Sequence, residues 1–270
     1  MLRIHTLASG SSGNCALIEA GSGLDRVVLC LDCGIAQRTA RGFAEAAGLS
    51  MTSVDAVLLT HRHSDHSANI VPTASRASAP LYAHADSLET NQRTSMAEIT
   101  RRNVEVRNFE DRGFFKIGPL VVTPIKLPHD AEPTFGFVFE TENSKAGFFT
   151  DLGRPEILME PGLLDGMETL VLESNHDVDM LAKGPYPRVL RERVGGDLGH
   201  LANTQTFEIL ASSAPKNLKR LVLAHLSLKN NTKELALELA DQALRQRGVS
   251  NVNLQIAPAR GYLPADAMQA

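Results

Sequence analysis

The chain has no tryptophan and only three cysteines among 270 residues, and no apolar run approaches the length of a membrane-crossing helix. Each shortage excludes something. Without such a run, no membrane partner is expected. Three cysteines do not make a disulfide framework. Cys30 and Cys33 spell C-x-x-C, but no second pair exists to complete a structural zinc site, so they read as buried strand cysteines. The opening residues Met1-Leu2-Arg3-Ile4-His5 pass straight into strand-like alternation, without the charged, apolar and small-residue regions of a signal peptide. A soluble cytoplasmic protein is expected. There is no internal repeat and no low-complexity linker. The net charge of −4 argues against a non-specific nucleic-acid coat. It leaves room for a local basic groove beside bound cations, which themselves attract phosphate.

What is present is concentrated in His61-Arg62-His63-Ser64-Asp65-His66, where three imidazoles and a carboxylate follow the apolar, β-branched run 54–60. That run predicts a buried strand, so the ligand types begin where the strand ends. Side chains two apart in extended chain share a face, which lets His61 and His63 reach one ion together. Asp65 and His66 lie past the turn and can reach a second ion. Neutral imidazole and carboxylate suit zinc, manganese or iron, with iron the less favoured. One histidine alone reads as a solvated loop residue; H-x-H-x-D-H at a strand end does not.

The same pattern recurs along the chain. Strands are predicted over 2–7, 15–20 and 27–31, and the third ends in Asp32-Cys33-Gly34. Asp32 is placed to hold a ligating imidazole by a hydrogen bond, with capping of the next helix as the plain alternative. The loop Ala8-Ser9-Gly10-Ser11-Ser12-Gly13-Asn14 lacks the lysine and spacing of a P-loop. It serves equally as a hairpin turn or as a backbone cradle for an anionic substrate. Helices are predicted over 39–47, 67–78 and 86–102. Further strands at 104–109, 114–117, 120–127, 134–141 and 146–150 deliver Pro128-His129-Asp130 and Asp151-Leu152-Gly153. The last third brings Glu173-Ser174-Asn175-His176-Asp177 after a strand at 170–172. Helices follow at 179–183, 186–194 and 204–212. A strand at 220–224 runs into His225, an amphipathic helix spans 232–247 with Asn231 or Thr232 as its cap, and a strand is predicted over 251–256.

Two divalent cations about 4 Å apart can hold a hydroxide at neutral pH and clamp a phosphoryl or carbonyl oxygen. The candidates supply such a site. His61, His63 and His129 are assigned to one ion; Asp65, His66 and His225 to the other; Asp151 bridges. His225 is chosen over His176 and His200 because it directly follows a strong strand. His176 and His200 remain to donate a proton to a leaving oxygen or to bind phosphate, with Glu173 orienting one of them. His5 and His84 lack such company and are read as structural.

H-x-H-x-D-H at 61–66, with Asp32 before it and His129, Asp151 and His225 after it, resembles the metallo-β-lactamase-fold hydrolase superfamily. The resemblance covers nearly the whole chain. It implies an α/β fold, an αββα sandwich of two mixed sheets with helices outside, in a single domain over 1–270. A finer likeness, to the YycJ/WalJ-like group, rests on Leu7 to Asn14, Leu172 to Asp177 and Gly199-His200-Leu201-Ala202-Asn203. That group is associated with 5′-to-3′ exonuclease activity on DNA, linked to mismatch repair, with manganese as a metal. The resemblance thus implies DNA with a 5′ end as partner, RNA being the alternative. The substrate-binding candidates are Ser11, Ser12, Asn14 and Asn175. Glu173 and His200 stand in places similar to residues that assist phosphodiester cleavage in the tRNA 3′-processing nucleases. Ala202 departs from the serine expected there and removes a hydroxyl contact.

Arg188, Arg191 and Arg193 lie between two of these segments, where they track a nucleic-acid backbone or form the solvated face of a helix. Competing readings are a thioester or lactone hydrolase of the glyoxalase II-like or lactonase-like type, a di-iron redox protein, and a non-catalytic binding module. The di-iron relatives typically place a glutamate where His63 stands. A binding module predicts gaps in the ligand set, and none is found.

Overall fold

The structure is a computed structural model describing residues 1–88 and 92–265. The apolar runs near the start form a meander: β1 (Leu2–Ala8), β2 (Cys15–Ala20) and β3 (Val27–Leu31), paired antiparallel with Leu2 opposite Ala20 and Ala20 opposite Val27. From β3 onward the chain alternates helix and parallel strand. Helix α1 (Gln37–Ala46) stops at Gly48, whose φ of +70° suits glycine, and Leu49 N–H closes back on the Ala44 carbonyl at 2.8 Å. Then come β4 (Ala56–Leu58), the short α2 (Ser64–Ser67), α3 (Ile70–Ala77), β5 (Leu81–Ala83), α4 (Met96–Arg101) and β6 (Val106–Asn108). The strands β7 (Phe115–Ile117), β8 (Leu120–Leu127), β9 (Thr134–Thr141) and β10 (Ser144–Phe149) follow. The last third comprises β11 (Thr169–Glu173), α5 (Val178–Lys183), α6 (Arg188–Val194), α7 (Asn203–Ser213), β12 (Arg220–Ala224), α8 (Lys233–Arg247) and β13 (Asn253–Ile256).

Among the described residues these strands make two mixed sheets, in the orders β1-β2-β3-β4-β5-β6 and β13-β12-β11-β10-β9-β8-β7. The inner parallel strands are apolar at nearly every position and buried along almost their whole length, as in β4 and β11 to β12. Strands covered on both faces read as continuous apolar runs, because neither face meets water.

Contacts divide the chain into two compact units. The first holds Met1–Lys126, Ala131–Ser144 and the described residues from Pro258. Its core gathers Leu7, Leu17, Cys30, Val57, Leu59, Ile70, Val71 and Leu81. The rings of Phe109, Phe115, Phe135 and Phe137 form a separate cluster with centroids 5.1 to 5.7 Å apart. The second unit holds Leu127–Asp130 and Lys145–Ala257. Here β10 to β13 run parallel, with Phe149 opposite Leu172, Leu172 opposite Leu223 and Leu223 opposite Ile256. Helices α7 and α8 pack on each other.

The expected helix over 86–102 is not continuous. A 3-10 turn covers Ala85–Ser87, residues 89–91 lie outside the described residues, and α4 begins only at Met96. Ser95 starts that helix, its hydroxyl accepting from Glu98 N–H at 3.2 Å. The predicted helix 67–78 is likewise two pieces, because Asn69 N–H turns aside to the Cys33 carbonyl at 2.8 Å. The cap of α8 is Thr232, not Asn231: the Thr232 hydroxyl accepts from Leu235 N–H at 3.2 Å. Cys15, Cys30 and Cys33 are buried free thiols, with Cys33 just past the end of β3 rather than on it.

Candidate active site

In the first unit the site is built where β3 and β4 end. Asp32 directly follows β3 and takes a left-handed backbone, φ +55°, a costly conformation for a residue with a Cβ. The turn aims its carboxylate at the neighbouring strand end. Oδ1 accepts from Thr60 N–H at 2.9 Å, and Oδ2 accepts from the Thr60 hydroxyl at 2.8 Å and from His66 Nδ1 at 2.7 Å. The Thr60 hydroxyl gives its one proton to Asp32, so its lone pairs accept from His61 Nδ1 at 3.0 Å. Both imidazoles therefore carry the proton on Nδ1 and a lone pair on Nε2, the form a metal ligand needs. His61 and His66 are buried with ring centroids 4.1 Å apart, and the half-buried His63 stands edge-on to His61 at 4.9 Å. Burial raises the Asp32 carboxyl above its ordinary value, against the pull of His66 and Thr60.

Gly34 and Asn14 fix the turn that carries Asp65. A Cβ on Gly34 would stand 1.6 Å from the Asp65 carbonyl oxygen, so only glycine fits. Asn14 N–H donates to that same carbonyl at 2.7 Å. The Asn14 amide nitrogen lies 2.8 Å from His66 Nε2 and 3.5 Å from Asp65 Oδ2. Asn14 thus touches the candidate ligand residues themselves, whereas Ser11 and Ser12 are exposed in the turn.

In the second unit, one ligand atom from each of Asp151, Glu173, His200 and His225 lies within 4.8 Å of the others. Asp151 and His225, both at strand ends, adopt φ of +63° and +57°. Glu173, the last residue of β11, is entirely buried and braces the group. Its Oε1 accepts from His200 Nδ1 at 2.7 Å and lies 3.5 Å from His225 Nδ1, while Oε2 accepts from Leu152 N–H at 3.0 Å. Asp151 Oδ1 is 3.5 Å from His225 Nε2 and 3.8 Å from His200 Nδ1. His129 donates from Nδ1 to the Gly199 carbonyl at 3.0 Å, which again leaves the lone pair on Nε2. His200 is the most accessible member, with 17% of its side chain exposed against 3% for Asp151 and 2% for His225.

The two leftover histidines differ in charge. Burial works against protonation of His200, but the Glu173 carboxylate, with Asp151 and Asp130 beyond it, outweighs this and raises the imidazole to about 9. Burial dominates at His176 and lowers it to about 4. At neutral pH His200 is a cation and His176 is not.

A buried polar lattice, which sequence reasoning did not assign, holds this frame. Asn231 donates to the carbonyls of Ser174 and Asn175 at 2.9 and 3.0 Å and exchanges amide hydrogen bonds with Asn203 at 2.9 Å. The Ser174 hydroxyl donates to Asn203 Oδ1 at 2.7 Å, and Asn175 donates to the His225 carbonyl at 2.7 Å. Asn175 therefore contacts His225 rather than open solvent. Ser174, Asn175 and Asn203 lie in segments that carry the finer family likeness, Asn175 being read there as a substrate contact, while Asn231 reads first as a cap. Arg188 pairs with Glu192 at 2.7 Å, Arg193 with Asp130, and Arg191 with the Ala182 carbonyl. His5 is buried between Glu19 at 3.3 Å and Tyr262 at 3.1 Å, and His84 accepts from Asp86 N–H at 3.2 Å.

The donor chemistry fits divalent ions: imidazoles set with Nε2 basic, carboxylates beside them, and hydrogen-bonded oxygens behind. Such candidate ligands at strand ends of mixed sheets point to a class. Residues 26–226 match the model of the β-lactamase superfamily domain, and the chain belongs to that superfamily. It is 32% identical to exodeoxyribonuclease YycJ of Bacillus anthracis over 92% of this chain and 90% of that protein. It is 28% identical to exodeoxyribonuclease WalJ of Streptococcus pneumoniae over 85% of this chain and 83% of that one. The crystal structure of the metallo-β-lactamase fold protein YhfI from Bacillus subtilis superposes with a TM-score of 0.72, covering 97% of this chain and 98% of that one at 17% identity. The fold is therefore the metallo-β-lactamase fold. Among the described residues no helix is long and apolar enough to cross a membrane.

Proposed function

We propose that this chain is a metal-dependent exodeoxyribonuclease that shortens DNA from the 5′ end. The observation that carries this reading is the match to an exodeoxyribonuclease over nearly the full length of both chains. The cluster of Glu173 and His200 beside strand-end ligands supports it. The chain is read as one catalytic domain in which His61, His63, Asp65, His66, His129, Asp151 and His225 serve two divalent ions, manganese or zinc. Bound there, the ions would lower the pKa of a water molecule and neutralise charge on a scissile phosphate.

The chain's own residues do the rest. Asp32 and Thr60 keep His66 and His61 in the Nδ1–H form, and the Gly199 carbonyl does the same for His129. Glu173 holds His200 by Nδ1, so a protonated His200 presents its second proton on Nε2. That proton goes to the leaving oxygen as the phosphodiester bond breaks. His200 is preferred to His176 as donor because it is held by a carboxylate and reaches the surface. Asp65, half-buried within the ligand run, is read as orienting the attacking water. Ser11 and Ser12, exposed beside Asn14, are read as contacts to the strand, and the setting as cytoplasmic DNA repair.

The test uses DNA strands labelled at the 5′ or the 3′ end and incubated with manganese-loaded protein. Immediate release of the 5′ label as mononucleotide supports the reading. Early loss of the 3′ label, or internal cutting alone, would sink it.

A further inference from the structure

Away from the histidines, a cavity of about 200 Å³ opens between α1, α3 and the segment at Met51 and Thr52. Its lining is Gln37, Arg38, Arg41, Met51, Thr52, Thr73 and Arg76: three guanidinium groups and no carboxylate. Guanidinium groups on a protein surface are ordinarily balanced by nearby acids, as Arg101 and Arg102 are by Glu98 in this chain. Here Arg41 has only Glu45, 3.7 Å away at an exposed position, a pairing of little strength. Among the described residues Arg38 and Arg76 form no ion pair. The first turn of α1 holds no acidic residue, and its N-cap, Ala36, offers no side-chain acceptor.

A second observation comes from the wall itself. The amide nitrogen of Gln37 is buried and has no hydrogen-bond partner. A buried donor left without an acceptor keeps its full desolvation cost, so such groups are rare unless something is to fill them. Carboxylates and phosphates accept from amide and guanidinium donors alike. Phosphate suits three forks best, because each can take two of its oxygens. The cavity is smaller than the roughly 300–1,000 Å³ of sites that enclose drug-sized ligands, so it takes a phosphate group or the phosphate end of a small molecule.

We propose that the cavity lined by Gln37, Arg38, Arg41 and Arg76 is a binding site for a phosphate-bearing small anion, separate from the histidine-rich site. The ligand is inorganic phosphate or a mononucleotide. Both bring a phosphate dianion to the guanidinium groups, which convert a loosely held charge cluster into a charge-assisted hydrogen-bonded one. The inference stands independently of the nuclease reading, because none of its residues belongs to the proposed metal site.

Calorimetric titration of the metal-loaded protein with inorganic phosphate and, separately, with 5′-dAMP tests it. Wild type, Asp65→Ala and the double variant Arg38→Ala/Arg76→Ala are compared. The site predicts binding that weakens at least tenfold in the double variant and persists in Asp65→Ala, with ligand-free melting temperature and DNA turnover unchanged by the arginine substitutions. Gln37→Met, which keeps the size of the side chain and removes the amide, weakens the same binding several-fold. Equal affinity for the two probes identifies phosphate alone as the recognised group, and tighter 5′-dAMP binding identifies a nucleotide. Undiminished binding in the double variant, loss confined to Asp65→Ala, or no binding of either probe would overturn the proposal.

Discussion

His200 and His176 are separated by their surroundings more than by their positions. A carboxylate against His200 and burial of His176 without such a partner push two chemically identical groups to about 9 and about 4. His200 is then the cation at neutral pH, and turnover should fall as pH rises through about 9 and its proton is lost. Glu173→Gln removes the carboxylate, so the alkaline limb of the kcat profile should move to lower pH; an unmoved limb would assign it to another group. The sign for stability is the same. A histidine raised from about 6.5 stabilises the folded state fully below that pH, and the contribution disappears as pH rises through about 9. His200→Gln should lower kcat by about 10²–10⁴-fold with metal content unchanged, while His176→Gln changes kcat little. Asp32 acts at one remove, through His66 and Thr60. Asp32→Asn is expected to weaken metal binding by about 10–100-fold, read by metal titration rather than by activity.

At the scale of elements, the site depends on strand ends that turn sharply. Asp32, Asp151 and His225 all take left-handed backbones immediately or almost immediately after β3, β10 and β12. Gly34 admits the Asp65 backbone, and Gly34→Ala should displace the turn bearing Asp65. Reduced metal affinity together with a lowered melting temperature is the expected outcome. Asn231 ties the ends of β11, α7 and α8 in one buried lattice. Asn231→Ala strands several buried groups at about 1–3 kcal/mol each and should lower the denaturation midpoint well beyond a surface substitution. These elements also show what the sequence reveals and what it hides. Strands such as β8 and β9 announce themselves because an unbroken apolar or alternating run has one sensible burial. The candidate ligands stand out because imidazoles and carboxylates cluster where those runs stop. Thr60, Asn203 and Asn231 do not, since what gives each its role is a hydrogen bond to a residue 28 or more positions away, in Thr60's case the one to Asp32 that turns its lone pairs to His61. The helix expected over 86–102 failed for the converse reason. Its polar composition suits helix and turn alike, and the Ser95 cap begins the helix late.

For the whole molecule, family and fold follow from the chain's full-length likeness to its relatives, and the chemistry follows from the site. Metals that bind only the folded protein stabilise it by mass action, so chelation should lower the melting temperature and manganese or zinc should restore it. The proposed function has the histidine- and aspartate-rich site acting on phosphodiesters rather than on carbonyl esters. The most direct measurement supplies 5′-phosphorylated DNA, a thioester and a lactone to the same metal-loaded preparation, before and after chelation and beside Asp65→Ala. Metal-dependent mononucleotide release from DNA is expected, abolished by chelation and by Asp65→Ala, with negligible ester turnover. Brisk thioester or lactone hydrolysis with intact DNA would contradict it.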